Sequence, residues 1–353
     1  MPKRLRVALI GAGRIGAGHA RRLASIPDCQ LVTVVDNDME RARQVAQPLG
    51  AGFSTDYREV LADRDVDAVA IATQVGSHVE LAVAAAQTGK PFFVEKPLAH
   101  DLEAGWRVVE AVERTGTPAM VGFHRRFDPP YVEARKRLRS GELGRLEGYR
   151  AVARDPYPPA LEYLITSGDL LVDMGIHDLD CARFLVGEVA EVSAIGSALA
   201  VPELAPHGLF DTAVATLRFE NGAVGTLEVA LRTAYGYEIR TEVLGERGRL
   251  HLEIDRQPDL LVYDERGGGF DRPRSFEERF GPAYQRELEA FVSNVLEDVP
   301  LDPAPREAWL SLRLALAAQH SLKGGETVRV EEFAPLPSGG ATSPGSTSGA
   351  NLN

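Results

Sequence analysis

Cysteine is scarce in this chain of 353 residues: it has two, Cys29 and Cys181. They stand far apart and outside any metal-ligand spacing. That excludes a disulfide framework and fits a reducing, cytoplasmic setting with both thiols serving as packing. Long apolar runs are missing too, since none approaches the roughly 20 residues that a spanning helix requires. The opening "MPKRLRVALIGAGRIG" puts basic residues before an apolar run, but Arg14 interrupts that run early. It is expected to be a strand and glycine turn rather than a signal peptide. Positive charge is in deficit: 39 Lys and Arg against 51 Asp and Glu give a formal net charge of −12. Neither nucleic acid nor an anionic membrane is therefore an expected partner, while a small uncharged substrate is compatible.

What is present is an ordinary globular composition, 44% hydrophobic and 25% charged, in a chain long enough for two or three domains. The first third alternates β-type runs such as "LRVALI" (5–10), "LVTVVD" (31–36), "DAVAIAT" (67–73) and "PFFVEKP" (91–97) with helical patterns. Such alternation predicts right-handed crossovers and a doubly wound parallel sheet of the Rossmann type over residues 1–123. From 124 to 333 the rhythm predicts an α+β domain with a large open mixed or antiparallel sheet. "DTAVATLRFENGAVGTLEVALRT" (211–233) alternates apolar and polar residues on either side of Asn221-Gly222, a hairpin signal. Residues 334–353 are Gly/Ser/Thr-rich and are expected to form a disordered tail. There is no internal repeat.

"GAGRIG" (11–16) follows the first strand and opens a helix. In this setting Gly11 permits the tight turn, Gly13 lets a pyrophosphate approach the backbone, and Gly16 lets helix and strand pack closely. Ala12, Arg14 and Ile15 complete the loop. Asp36 ends the second strand, 20 residues past Gly16, where a carboxylate binds ribose hydroxyls. It repels a 2′-phosphate, and "DND" (36–38) has no adjacent Arg to pair with one. NAD is therefore expected over NADP, with Asn37, Thr73 and Glu95 as further contacts at the strand ends.

"VEKPLA" (94–99) puts Lys96 at the carboxyl end of a strand, where open α/β sheets bind ligands, in the restricted conformation that precedes a proline. The segment "LLVDMGIHDLD" (170–180) reads as helix. Asp173, His177 and Asp180 then share a face at i, i+4 and i+7, and Asp178 points elsewhere. Three readings compete: a metal site, a helix face with a satisfied buried His, and acid–base chemistry. No second His or H-E-x-x-H pattern stands nearby to support a metal. A His titrating near its usual ~6.5 suits proton transfer from an alcohol. Asp180 is expected to orient the helix or His177.

Together "GAGRIG", "VVDND", "VEKPLA", "GFHRRFDP" and "DMGIHDLD" resemble the Gfo/Idh/MocA oxidoreductases over residues 5–330. The combination with "ARDPYPP" and "TAYGYEIRTEVLG" is most similar to the inositol 2-dehydrogenases among them. The resemblance implies oxidation of a secondary alcohol of a cyclitol by NAD, with Lys96, Asp173 and His177 as the catalytic trio. It also implies Arg125 near nicotinamide and substrate, Asp155 facing the polyol, Tyr235 lining the cleft, and a homodimer or homotetramer built on the second sheet. His124, in place of a more usual Met or Gln, and "YGYEIR" depart from the pattern. They leave open which cyclitol is used, a different inositol or an aldose being alternatives. A sensor without turnover, built on the same fold, is the alternative from another class.

Overall fold

A computed structural model describes residues 4–167, 169–253, 262–265, 267–269 and 272–336. Most of the expected tail, 337–353, lies outside the described residues. Six short strands make the first sheet: β1 (Leu5–Ile10), β2 (Cys29–Val35), β3 (Gly52–Ser54), β4 (Ala68–Ile71), β5 (Phe92–Glu95) and β6 (Ala119–Gly122). Their order is β3-β2-β1-β4-β5-β6 and all pairs are parallel. The chain switches direction across the sheet between β1 and β4, so their carboxyl ends open a crevice.

The strands β4, β5 and β6 are buried along their whole length because both faces are covered. Ile10, Ile71 and Val94 belong to one buried cluster, Leu9, Ala70 and Phe93 to another, as a two-residue period demands. The second cluster also takes in Leu288, Phe291 and Val292, so the helix Phe276–Leu296 returns to cover the first sheet. The next helix, Pro305–Gly324, belongs to the other buried cluster, packed with the helix Leu102–Thr115. Trp309 packs edge-on against Trp106 at 5.1 Å and donates its indole N–H to the Leu102 carbonyl at 2.8 Å.

The second sheet has β7 (Leu146–Arg154), β8 (Val189–Ser197), β9 (Thr212–Phe219), β10 (Val224–Ala230), β11 (Glu238–Gly245) and β12 (Gly248–Glu253). A hairpin of β13 (Val262–Asp264) and β14 (Gly267–Gly269) stands apart, and β15 (Val328–Arg329) closes the large sheet's edge. The order is β12-β11-β7-β10-β9-β8-β15, mixed because β7 and β10 run parallel. Asn221-Gly222 makes the β9–β10 turn, Gly222 taking φ +89°, which favours glycine. β9 alternates buried and exposed positions strictly, so one sheet face packs on the core and the other is open. Among the described residues no helix is long and apolar enough to cross a membrane.

The segment expected as one helix is two. Leu170–Asp173 stops at Met174-Gly175, and Ile176–Leu185 starts anew with Gly175 as its N-cap. Gly175 lies so close to Leu171 that a Cβ there would come within 3.1 Å of its Cα and carbonyl oxygen. Asp173 and His177 therefore stand on two short helices either side of a break, not along one helix face.

Candidate active site

The nucleotide side is built almost entirely from backbone. Gly11 takes φ +104°, and a Cβ on it would sit 2.4 Å from the Ala72 carbonyl oxygen. A Cβ on Gly16 would sit 1.9 Å from the Gly11 oxygen, whereas one on Gly13 would meet nothing within 4 Å among the described residues. Gly11 and Gly16 thus hold the turn together, while Gly13 faces open space. Gly13 is the N-cap of the helix Arg14–Ser25 and offers no side-chain capping bond, so the first-turn N–H groups of Arg14 and Ile15 remain available to an anion. This cradle fits a dinucleotide pyrophosphate.

Asp36 is buried at the end of β2. Its carboxylate accepts from the Ala12 N–H at 2.7 Å, the Asp38 N–H at 3.0 Å and the Arg41 guanidinium at 3.1 Å. Asp38 caps the following helix, Met39–Ala46, so Asp36 is not spent on that task. Arg41, a turn into that helix, folds back onto Asp36; Asn37 beside them is exposed. Thr73 closes β4 and takes a hydrogen bond from Ser77 at 2.8 Å. Buried His78 joins two loop carbonyls, Thr73 at 3.1 Å and Pro97 at 2.9 Å, so the ends of β4 and β5 are tied together.

Lys96 leaves β5 through a cis peptide bond to Pro97. Glu95 braces its backbone: one carboxylate oxygen accepts the Lys96 N–H at 3.1 Å, the other meets His19 at 2.6 Å. The Lys96 ammonium crosses to the second sheet's side. There it donates to the Asp173 carbonyl at 2.7 Å, with the Asp173 carboxylate 3.7 Å away. Tyr163 reaches the same carboxylate at 3.2 Å. His177 lies beyond the helix break, edge-on to Phe123 and His124 with ring centroids at 6.1 and 4.7 Å. Burial, then Lys96, His124 and Arg125, push its pKa well below 6.5. This runs against the expected titration near ~6.5, because the surroundings favour the neutral imidazole, the form able to accept a proton.

Asp155 follows β7 and feels the same charges. Burial and then Asp173 raise its pKa to about 6, against the pull of Arg125, Lys96 and Arg14. Tyr235 is half-exposed and stands with another group. Its hydroxyl donates to Glu238 and accepts from Arg154 at 2.7 Å, which ties it to the residue before Asp155. Arg125 is buried behind the cleft, donating to Asp178 at 2.6 Å. In this conformation it acts on the site through its charge.

Asp180 does not touch His177. It takes a bidentate pair of bonds from Arg126 at 2.7 and 2.8 Å and a third from Ser311 at 2.7 Å. The consecutive arginines 125 and 126 are thus matched by Asp178 and Asp180, and these pairs fix the helix that carries His177. Asp178, set aside in the sequence because it points away from His177, is part of this frame. The signal available was charge matching between "RR" and "DLD". Among the described residues there is no cluster of three or more His, Cys, Asp or Glu able to hold a metal.

Residues 5–123 match the oxidoreductase family with an NAD-binding Rossmann fold, and residues 131–251 match the GFO/IDH/MocA C-terminal domain. The chain is 37% identical over 334 residues to scyllo-inositol 2-dehydrogenase (NAD(+)) of Bacillus subtilis, covering 94% of this chain and 98% of that one. It is 36% identical over 331 residues to the myo-inositol 2-dehydrogenase of Thermotoga maritima, covering 93% and 99%. The crystal structure of scyllo-inositol dehydrogenase from Lactobacillus casei with bound NAD(H) and scyllo-inositol superposes with a TM-score of 0.88. That match is at 28% identity and covers 93% of this chain and 99% of that one. With the glycine cradle and Asp36 at its strand end, these similarities make the protein an NAD-dependent oxidoreductase acting on a CH–OH group, a member of the Gfo/Idh/MocA family.

Proposed function

We propose that the protein oxidises a ring hydroxyl of an inositol, with myo-inositol converted to 2-keto-myo-inositol as the leading reaction. The observation that carries this is the meeting of Lys96, from the nucleotide sheet, with Asp173, from the second sheet's side, where Asp155 and His177 feel the same ammonium charge. An uncharged polyol needs such a set of donors and acceptors, each hydroxyl being both. The names of the relatives support the cyclitol class, and they divide between myo- and scyllo-inositol at nearly equal identity.

Bound NAD supplies the hydride acceptor. His177 takes the hydroxyl proton as the carbinol C–H bond gives up its hydride, and the C–O bond becomes a carbonyl. The Lys96 ammonium donates to the same oxygen and stabilises its developing negative charge. The Asp173 carbonyl and carboxylate hold that ammonium in place. Asp155 and the Arg154-anchored Tyr235 provide the groups that select hydroxyls further round the ring.

Both myo- and scyllo-inositol yield the same ketone on oxidation at the relevant carbon, so the product does not separate the readings. NADH formation with myo-, scyllo- and chiro-inositol and common aldoses, under NAD and NADP, tests them. A kcat/KM highest for myo-inositol with NAD is expected. A higher value for scyllo-inositol would move the preference, a higher value for an aldose would overturn the cyclitol reading, and no turnover with any would favour a sensor.

The open sheet face shows Ile195, Val214, Val224 and Leu244, all exposed, on β8 to β11. Apolar side chains on a flat sheet favour pairing with a second copy, and light scattering after gel filtration is expected to give a dimer or tetramer.

A further inference from the structure

His124 is used by no step above, yet it is among the most enclosed polar side chains next to the site, 3% exposed. Neither of its ring nitrogens has a hydrogen-bond partner among the described residues, and neither has Nδ1 of His177, which is sealed from solvent. A buried imidazole nitrogen without a partner is costly, so two rings that leave three such atoms side by side require a reason. His124 stacks on Tyr284 with centroids 4.2 Å apart and an interplanar angle of 24°. Phe280 closes one edge at 4.8 Å, and the His177 ring stands against His124 at 4.7 Å and 66°. The stack fixes the plane of His124 while leaving its nitrogens unspent.

We infer that His124 is a positioning residue for His177: it accepts the Nδ1–H of His177, so that Nε2 is left bare for the substrate hydroxyl. The rings stand in edge contact, 4.7 Å between centroids, and the inference requires their nitrogens to meet directly or through one water. This inference rests on His177 being the base. In the familiar Ser-His-Asp arrangement a carboxylate performs this task on the far ring nitrogen; here a neutral imidazole does so. The surroundings favour its neutral form. Burial disfavours the charged ring, and Arg125 on its own turn, Lys96 from β5, Arg279 from the helix Phe276–Leu296 and His19 from the helix Arg14–Ser25 all press the same way. His124 therefore does not compete for the alcohol proton. It holds the tautomer of His177 and, once that ring is charged, shares its Nδ1 proton.

The test compares His124→Phe, which keeps the stacked ring and has no acceptor, with His124→Gln, whose amide oxygen can accept. Pre-steady-state and steady-state rates are measured with NAD and the best inositol across pH 5–10. His124→Phe is expected to lower kcat by about ten- to a hundredfold, a share of what a positioned base contributes, with KM for both substrates within about twofold of the parent. Its acid limb should move to lower pH, because imidazolium on His177 has lost a stabilising acceptor. His124→Gln is expected to restore the limb and most of the rate. If the two variants behave alike, whether both normal or both slow with an unmoved limb, His124 is only packing and the inference falls. Should His124→Phe not fold, His124→Met serves as the apolar variant, judged the same way. His177→Ala separates the two levels. Retained turnover there removes the base assignment itself, whereas an inactive His177→Ala beside a normal His124→Phe removes only this inference.

Discussion

The two walls of the cleft are built on different principles. On the nucleotide wall, function resides in backbone: Gly11 and Gly16 tolerate no side chain, Gly13 faces open space, and Asp36 is fixed by N–H groups within two dozen residues of it. On the substrate wall, function resides in side chains held by partners far along the chain. Arg125 meets Asp178 across 53 residues, Lys96 meets Asp173 across 77, and Asp180 meets Ser311 across 131. The first wall is set by local conformation and survives changes in its neighbours. The second is set by tertiary assembly, so each of its parts depends on several others.

Removing chemistry without removing that frame should give the largest effect. Lys96→Ala and His177→Ala are each expected to lower kcat by about a thousandfold or more, since each deletes a group acting on the reacting oxygen. NADH affinity, followed by fluorescence titration, should change little, because the cradle is backbone. A parallel loss of NADH binding would show the walls to be coupled and would break the contrast. Next comes the frame itself. Arg126→Ala leaves Asp180 as a buried carboxylate with only Ser311 to serve it, and removing one partner of such a pair typically costs about 3–5 kcal/mol. Urea unfolding measures it, with Arg43→Ala, an exposed pair on the nucleotide wall's helix, as the control expected to lose under about 1 kcal/mol.

These same differences explain what the sequence discloses. The parallel sheet is legible because most of its strands are apolar runs alternating with helical patterns, and the hairpin because Asn-Gly admits φ above zero. The cradle is legible because spacing alone fixes it. The break at Met174-Gly175 is not, since it follows from Gly175 packing on Leu171, and the apolar pattern runs straight through it. Nor is the fate of Asp180, whose apparent face-sharing with His177 assumed an unbroken helix. Its partner was decided by where Arg126 arrives from the end of β6. The low proton affinity of His177 is likewise a product of assembly, as three of its four causes are charges or rings brought in by tertiary contact and the other is burial.

A subtler effect tests whether the nucleotide wall's side chains matter at all. Asp36 holds Arg41 at 3.1 Å, so the carboxylate both repels a 2′-phosphate and occupies the cation that would otherwise attract one. Asp36→Ala should release Arg41 and shift the ratio of NADP to NAD efficiency by about a hundredfold toward NADP, the scale of removing a like-charge contact. Asp36→Ala, Arg41→Ala should give back much of that gain. If the single variant merely loses both activities, Asp36 serves the loop through Ala12 more than it serves the ribose.

The smallest expected effect lies with Asp155, where the two walls' charges overlap. Its folded-state pKa of about 6 stands above the 3.8 of an unperturbed carboxyl, because burial and Asp173 outweigh Arg125, Lys96 and Arg14. A raised acid binds its proton more tightly in the folded protein, so its cost to stability is absent below pH 3.8. That cost grows as pH rises through the interval to about 6 and stays constant above it. Asp155→Asn should therefore raise the melting temperature by a few degrees at pH 8 and not at pH 4, on the scale of about 1–2 kcal/mol in a chain of this size. Activity should move the other way, since a neutral amide in place of the carboxylate changes which ring hydroxyls are held. Equal melting shifts at both pH values would mean that Asp155 is solvated and that the substrate wall is less closed than the burial of its charges implies.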